Sequence, residues 1–306
     1  MLKLTKADMA TIERQLYNKG RDIDVAIYNA LFDPMYKEFI PDSLMLYMTK
    51  EGGMGNALEI DNYNPNASVY QTYEALRIFY DLSFTGNEEN ELYQHMMNKM
   101  CNYLYNRCPM TKGLWNPLVK TNDDYAHSNE YSYLEDPYPI WGVHPTAAIV
   151  GYILVLAPQN KAYYKKAEKQ LPGLIAYFDE KEQWNSYDFI SANALLGCLK
   201  KGNIYKEEVI LLEKKILAEA LRHLEDDSFE FAAYLSHAFV NAQLQEKIDK
   251  DLDKLILSRK SHGLWENPKG WGTNRYAEAD SAALKWLGAQ TVKNLSLLKQ
   301  YGRIEE

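Results

Sequence analysis

Two carboxylates in one loop, Glu59 and Asp61, are the residues of this sequence best placed for acid–base chemistry. They lie in the segment "NALEIDNYNP", and in an extended backbone side chains two residues apart point in the same direction. Glycoside hydrolysis needs such a pair, since one group protonates the leaving oxygen and the other acts as nucleophile or base. We predict Glu59 and Asp61 as general acid and base. The alternative is that both make hydrogen bonds that fix the loop.

Further polar residues stand at or near the starts of predicted helices. N-capping accounts for such residues one by one, because their side chains accept hydrogen bonds from free N–H groups. If the helix starts meet at one end of the molecule, however, the acids among them would shift one another's pKa values. From this set we predict Asp188, Asp280 and His144 as supporting catalytic groups. The whole set is Asp22, Asp24, Asn66, Ser68, His144, Asp188, Glu230, Glu278 and Asp280.

Aromatic residues are abundant, with 24 tyrosines and six tryptophans. They suit the wall of a wide cavity that is apolar with polar tips, although packing of the interior can use them equally well. The predicted substrate-binding residues are Asn56, Trp115, Tyr131, Trp141, Trp184, Glu230, Trp265, Trp271 and Glu278.

Metal and cofactor signals are weak. In the segment "NDDYAHSNE", Asp123, Asp124 and His127 could bind a divalent metal if that segment is helical, but no H-E-x-x-H-like pattern supports it. The sequence has neither a G-x-S-x-G nucleophile motif nor a phosphate-binding loop, since "GGMGN" lacks the lysine and the preceding strand. We therefore predict no metal and no cofactor.

The elements that must position these residues are helices, because patterns with a period of 3.6 residues dominate the chain. Six segments rich in small and apolar residues alternate with six amphipathic ones, which predicts an all-α fold, an (α/α)6 toroid with six inner and six outer helices. The inner segments are 22–32, 66–82, 144–157, 186–199, 228–240 and 276–289. The outer segments are 34–48, 89–106, 161–178, 205–224, 247–260 and 291–301.

Loops rich in glycine and tryptophan fall between an outer segment and the next inner one. "GLWNP" at 113–117 and "GLWENPKGWG" at 263–272 are the clearest pair. Glycine after a helix is typical of a left-handed cap, so these loops indicate fold punctuation as much as a binding site. We expect one toroid domain over residues 1–306, with residues 1–20 forming a helix on its outside and 108–143 forming a long rim loop.

Composition excludes several partner classes. A net charge of −8 argues against a nucleic-acid partner or an anionic membrane surface, because both favour basic patches. The most apolar run, "TAAIVGYILVLAP", is too short for membrane insertion. Three cysteines without C-x-x-C spacing argue against a disulfide framework. With no signal-peptide pattern at the start, we expect a cytoplasmic protein.

The chain resembles the α/α-toroid superfamily, which contains terpenoid cyclases and protein prenyltransferase β-subunits. "GGMGN", "GLWNP" and "GLWENPKGWG" resemble its Gly-aromatic loops, and "DSAALKWLGA" resembles its Asp-Ser/Thr-Ala-x-x-Ala-Leu inner helix. Over residues 21–80 the chain is also similar to a group of uncharacterised bacterial toroid proteins with a Gly-Phe-Gly-x-x-Leu-Glu-x-Asp motif. In that motif Glu59 and Asp61 are the acidic positions, and the resemblance implies a toroid fold.

The superfamily's chemistry does not transfer with the fold. The D-x-D-D motif of class II cyclases is missing, and "EADS" at 278–281 is its nearest counterpart. The D-D-x-x-D motif and the zinc ligands of prenyltransferases are missing too. We expect an enzyme with an acid-lined aromatic cavity that acts on a carbohydrate by general acid–base chemistry. The alternatives are a cyclase- or prenyltransferase-like enzyme acting on a polyprenyl substrate, and a non-catalytic toroid that binds a peptide, glycan or lipid.

Overall fold

The protein is all-α, as its sequence predicts. The computed structural model describes residues 1–238, 240–267, 269–272 and 276–305, and within these ranges thirteen α-helices and one two-stranded hairpin (Met110–Thr111 with Leu114–Trp115) are present. The helices are α1 (Lys6–Lys19), α2 (Asp22–Phe32), α3 (Ile40–Met45), α4 (Val69–Asp81), α5 (Glu91–Arg107), α6 (Tyr138–Trp141), α7 (Thr146–Leu156), α8 (Ala162–Glu180), α9 (Ser186–Gly202), α10 (Lys206–Leu221), α11 (Phe231–Tyr234), α12 (Ala242–Leu257) and α13 (Glu278–Gln300).

Side-chain caps fix where the helices begin. Thr5 and Asp8 form a capping box at α1, and Ser68 accepts a hydrogen bond from the backbone N–H of Gln71 at the start of α4. Asn185 and Asp188 form a second capping box at α9. Each cap pairs an N–H group that the first turn of a helix leaves without a partner.

Two groups of helices pack in series. In the first, α4 contacts α7, α7 contacts α9 and α9 contacts α11, while α13 contacts α2. In the second, α3 contacts α5, α5 contacts α8 and α8 contacts α10. The first group holds the segments rich in small and apolar residues, and α7 is buried on nearly all sides. One apolar core runs from Leu4 to residues of α13.

The expected final hairpin is wrong. Segments 276–289 and 291–301 form one continuous helix, α13, because no proline or capping glycine interrupts them. Gly288, near the end of the first segment, lies inside α13 against Gly20 and Asp24, where an added Cβ would come within 2.8 Å of the Gly20 Cα atom. The outer side of α13 is instead covered by α1.

Two further segments are shorter than expected. Residues 34–48 form a 3₁₀ helix (Pro34–Phe39) followed by the short α3. In the segment 228–240 the helix is limited to α11, with Phe239 outside the described residues.

The repeated Gly-Leu-Trp phrase has one structure in both copies. The indole N–H of Trp115 donates to the Leu104 carbonyl in the last turn of α5, and its backbone N–H donates to the hydroxyl of Thr146 at 3.0 Å. Trp265 repeats both bonds, with the Leu255 carbonyl of α12 and the hydroxyl of Thr291. The tryptophan thereby joins a free carbonyl at the end of one helix to the next buried helix.

A third copy exists without tryptophan. The backbone N–H of Met54 donates to the hydroxyl of Thr72 in α4 at 3.0 Å. The glycine two residues before the bonded N–H has positive φ in all three copies, at Gly52, Gly113 and Gly263, a conformation that glycine adopts without strain. The phrase is therefore a structural repeat.

Among the described residues, no helix combines the length and the apolar character needed to cross a membrane.

Candidate active site

Three loops meet around the predicted acid pair. The backbone N–H of Ser128 donates to the Asp61 carbonyl at 2.9 Å, and that of Tyr63 donates to the Ala126 carbonyl at 2.9 Å. The backbone N–H of Asn129 in turn contacts the carbonyl of Trp271 at 3.4 Å. The long 108–143 loop therefore lies between the loop that carries the acids and the loop that follows α12.

Asp61 is held by two tryptophans. The indole N–H groups of Trp271 and Trp286 both donate to its Oδ1 atom at 2.7 Å, and the carboxylate is buried. Burial raises the pKa of Asp61, the two indole bonds oppose the rise, and Glu130 adds to it. One oxygen of Asp61 is thus occupied by protein donors.

Glu59 is buried and faces other charged groups. Burial and the nearby Glu74 carboxylate raise its pKa to about 8, with Lys293 opposing and Asp61 adding to the rise. Its Oε1 atom accepts the backbone N–H of Asp61 at 3.3 Å across a turn. The loop is therefore not extended, and its turn directs Glu59 and Asp61 to different neighbours.

Glu59 lies at one end of a cleft between α2, α4 and α13. One face of α4 supplies Glu74, Arg77 and Asp81, and α13 supplies Trp286 and Lys293. Arg77 bridges the two acids of its own helix at 2.7 and 2.8 Å. Although burial opposes ionisation of Glu74, Arg77 and Lys293 lower its pKa to about 2.

The cleft is narrow. Its volume is about 40 Å³, which is room for a few water molecules. The carboxylate of Asp81 is 33% exposed and lies at its solvent side. Glu59 and Trp286 in the same lining are buried, and the Lys293 ammonium lies over the Trp286 ring at 5.0 Å.

Aromatic rings fill the space beside α7 and α9. Trp141 stacks on Tyr187 with ring centres 4.4 Å apart and on His144, and Tyr70 meets Trp141 and Tyr131 edge to face. Trp141 and Tyr131, predicted as substrate-binding residues, are buried in this cluster. The hydroxyl of Tyr187 donates to Glu130, which joins this cluster to the acids.

His144 is buried within this aromatic cluster. Burial lowers its pKa to about 3, with Glu74 opposing, so the ring is neutral near pH 7. Its Nδ1 atom bonds the hydroxyl of Ser191 at 2.9 Å. His144 therefore serves as a hydrogen-bonding residue rather than as a proton donor at neutral pH.

The other predicted polar residues divide into caps and surface positions. Asp188 is fully buried, accepts a hydrogen bond from the Tyr177 hydroxyl at 2.8 Å and pairs with Lys181 at 2.8 Å. Capping of α9 and this ion pair explain why an acidic residue occupies the position. Asp24 likewise caps α2 and pairs with Arg21 at 2.8 Å. The structure places the remaining ones at exposed positions outside the cleft lining: Asp22, Asn56, Asn66, Glu230, Glu278 and Asp280.

Three of the predicted tryptophans are buried where their loops contact neighbouring helices. Trp115 and Trp265 are buried and bonded to neighbouring helices as described above. Trp184 packs on Phe178 and Phe189, and its buried indole N–H has no hydrogen-bond partner within the described part of the chain. Of the predicted tryptophans, Trp271 alone contacts the acid pair directly.

The possible metal ligands lie in the 108–143 loop. His127 bonds the Tyr125 carbonyl at 2.7 Å through Nδ1, and its Nε2 atom lies 3.7 Å from Asp123. Asp124 is exposed. Within the ranges that the structure describes, no three or more His, Cys, Asp or Glu residues are grouped as metal ligands would be.

No protein-family model matches the chain, and no curated protein matches it significantly. The site is therefore interpreted from its own geometry.

Sequence reasoning missed the residues that α4 and α13 bring to the acids. Glu74 lies within an apolar helical segment, Lys293 lies in an amphipathic one, and Trp286 belongs to the inner-helix phrase "DSAALKWLGA". A signal exists for Glu74, Arg77 and Asp81, because charges spaced three and four apart on an otherwise apolar helix share one face. Lys293 and Trp286 carry no comparable signal.

Proposed function

We propose that the chain forms an (α/α)6 toroid and that the cleft between α2, α4 and α13 is its active site. The two series of helix contacts, α4–α7–α9–α11 and α3–α5–α8–α10, support inner and outer layers. The three-fold recurrence of the glycine loop bonded to a buried threonine supports repeated hairpins.

The chemistry that fits this site best is general acid–base catalysis on a carbohydrate. The observation that carries it is the placement of Glu59, a buried carboxyl in the lining of a charged cleft, next to Asp61 in the same turn. A carboxyl that holds its proton near pH 7 can protonate a leaving glycosidic oxygen. Asp61 supplies the second carboxylate that such a reaction needs.

The charged lining favours a hydroxyl-rich substrate over a polyprenyl chain. A hydrocarbon bound in the cleft would remove water from the charges of Glu74, Arg77 and Lys293. That desolvation costs on the order of several kcal/mol. Hydroxyl groups would instead form hydrogen bonds with them. A sugar ring needs more room than about 40 Å³, so substrate binding requires α2, α4 and α13 or the covering loops to move apart.

The test is turnover by the wild type and by matched amide variants. Chromogenic glycosides and oligosaccharides are assayed with the wild type, Glu59→Gln and Asp61→Asn, and binding is measured by calorimetry. We expect at least about a hundredfold loss of turnover in each variant with binding retained. Glu219→Gln is the control, because Glu219 is equally buried but pairs with Arg222 far from the cleft. Equal activity in all four proteins would refute the proposal.

A non-catalytic binding protein is the second candidate. The observation that favours it is that the Oδ1 atom of Asp61 already accepts hydrogen bonds from two indole N–H groups. In that case a glycan bound by the wild type would be bound by Glu59→Gln with little change, and no turnover would be found with any substrate.

A further inference from the structure

The element between α2 and α4 leaves an apolar surface uncovered. Helices α5, α8, α10 and α12 contain 17, 19, 16 and 16 residues. Between α2 and α4 the chain forms a six-residue 3₁₀ helix and the six-residue α3 instead. Two short elements cover less of the neighbouring helices than one long helix does.

Large apolar side chains project from this short element. Met35 is 77% exposed and Phe39 is 52% exposed, and the ring of Tyr36 lies 6.2 Å from that of Phe39. Beside Met35 is an open depression of about 350 Å³. The ring of Phe84 in its lining is buried, and the Lys37 ammonium lies 4.4 Å from the centre of that ring. We call this depression the α3 groove; its lining is Pro34, Met35, Lys37, Glu38, Phe84, Glu88 and Asn90.

The charge around the α3 groove is strongly negative. The segments 33–42 and 88–91 contain six carboxylates and one lysine: Asp33, Glu38, Asp42, Glu88, Glu89 and Glu91 against Lys37. The lysine is already neutralised, because its Nζ atom lies 2.6 Å from Glu88 and donates to the Ser83 carbonyl. Exposed apolar side chains with an acidic border complement a segment that is apolar on one side and basic on the other.

We propose that the α3 groove binds a basic amphipathic helix of a partner protein. Leucine or aromatic side chains of that helix contact the exposed side chains of Met35, Tyr36 and Phe39, while its lysine or arginine side chains face Glu38 and Glu89. This is the helix-in-groove mode of recognition, in which apolar anchors give affinity and charge selects the partner. A methionine on the surface suits it, since its flexible side chain adapts to different anchors.

The experiment measures binding of two model peptides to the whole protein. One is a fluorescent helical peptide of about 18 residues, five turns, with leucine on one face and lysine on the other. The second carries glutamate in place of lysine. We expect the lysine peptide to bind with an affinity that falls as salt rises, and the glutamate peptide to bind at least about tenfold more weakly.

Two double variants localise the binding. Met35→Ser with Phe39→Ser removes the apolar anchors, and Glu38→Lys with Glu89→Lys inverts the border. Each should weaken binding of the lysine peptide by about tenfold or more. Ile210→Ser with Leu257→Ser is the matched control, since these side chains are 67% and 73% exposed on α10 and α12, and its binding should equal that of the wild type. Circular dichroism verifies that all variants fold.

Four outcomes overturn the proposal. The lysine peptide does not bind, or both peptides bind equally, or the anchor variant binds as the wild type does. The fourth is that light scattering shows a dimer, or sedimentation shows binding to phosphatidylcholine vesicles, that is lost in Met35→Ser with Phe39→Ser. That result would assign the surface to a second copy or to a lipid instead.

Discussion

Glu59 keeps its proton at neutral pH because burial and the Glu74 carboxylate raise its pKa to about 8. A glutamate in the unfolded chain has a pKa near 4.5, so between these values the folded protein binds more protons than the unfolded one. The free energy of unfolding therefore falls as pH rises through this window. We expect Glu59→Gln to flatten that dependence, measured by urea denaturation at about pH 5 and about pH 8. Glu219→Gln should keep the wild-type slope, and a wild type without any slope would contradict the assignment.

Asp61 tests how much the two indole bonds contribute. In Asp61→Ala both buried indole N–H groups, those of Trp271 and Trp286, lose their acceptor. We expect the free energy of unfolding to fall by about 2–5 kcal/mol. Asp61→Asn keeps an acceptor oxygen and should lose about half as much or less. Urea denaturation followed by tryptophan fluorescence measures both, and equal losses would show that charge rather than hydrogen bonding matters at this position.

At this scale the sequence identifies the acids but not their surroundings. Glu59 and Asp61 stand out because their spacing is local. The groups that set their protonation, Glu74 and Lys293, belong to helices more than 200 residues apart. They come together only because α4 and α13 both line the same cleft, and no pattern within either helix predicts that arrangement.

Among the elements, three glycine loops are each attached to a helix by a hydrogen bond to a threonine hydroxyl. Thr72, Thr146 and Thr291 are fully buried and accept the backbone N–H of Met54, Trp115 and Trp265. Valine keeps the shape but leaves each N–H without an acceptor. We therefore expect each Thr→Val variant to lose about 1–3 kcal/mol in thermal or urea unfolding.

Thr11→Val is the control for these variants, because the Thr11 hydroxyl bonds only the Ala7 carbonyl of its own helix. Its stability should stay within about 0.5 kcal/mol of the wild type. If just one of the three loop variants were destabilised, the loops would not be equivalent.

Gly288 determines how closely α13 approaches α2. An added Cβ would lie 2.5 Å from Asp24 Oδ2 and 2.8 Å from the Gly20 Cα atom, so the two helices would have to separate. We expect Gly288→Ala to destabilise the protein by about 1–3 kcal/mol in urea denaturation. Gly173→Ala in α8 meets nothing within 4 Å and should instead stabilise by up to about 1 kcal/mol. Equal effects of the two substitutions would mean that the close approach does not matter.

The sequence predicts local elements well and their ends less well. The predicted segment 22–32 coincides with helix α2, because its acidic first turn and its apolar helical period together indicate where the helix lies. The expected break before residue 291 is wrong, because the alternation of inner and outer segments predicts a break there although the sequence contains no helix-stop signal. Amphipathic character distinguishes faces of a helix, whereas its end requires a cap.

At the scale of the molecule, Arg303 ties the chain ends to α12. The backbone N–H of Leu4 donates to the Arg303 carbonyl at 2.9 Å, and the buried guanidinium reaches Asp253 at 2.7 Å and Asp249 at 2.9 Å. It also donates to the Leu2 carbonyl. These contacts hold the N-terminal residues against the end of the chain, next to where α1 covers α13.

Arg303→Met tests whether this closure stabilises the whole fold. The methionine fills similar space but makes none of the bonds, so two carboxylates and two backbone carbonyls, those of Leu2 and Asp249, lose the arginine donor. Because Asp249 and Asp253 are 27% and 32% exposed, water compensates in part, and we expect a loss of about 2–3 kcal/mol. A cooperative urea transition shifted to lower midpoint with unchanged slope would show that the ends and the core unfold together. Lys250→Met, whose partner Glu246 is 70% exposed, should leave the midpoint unchanged. A separate early transition in Arg303→Met would mean instead that the ends open independently of the core.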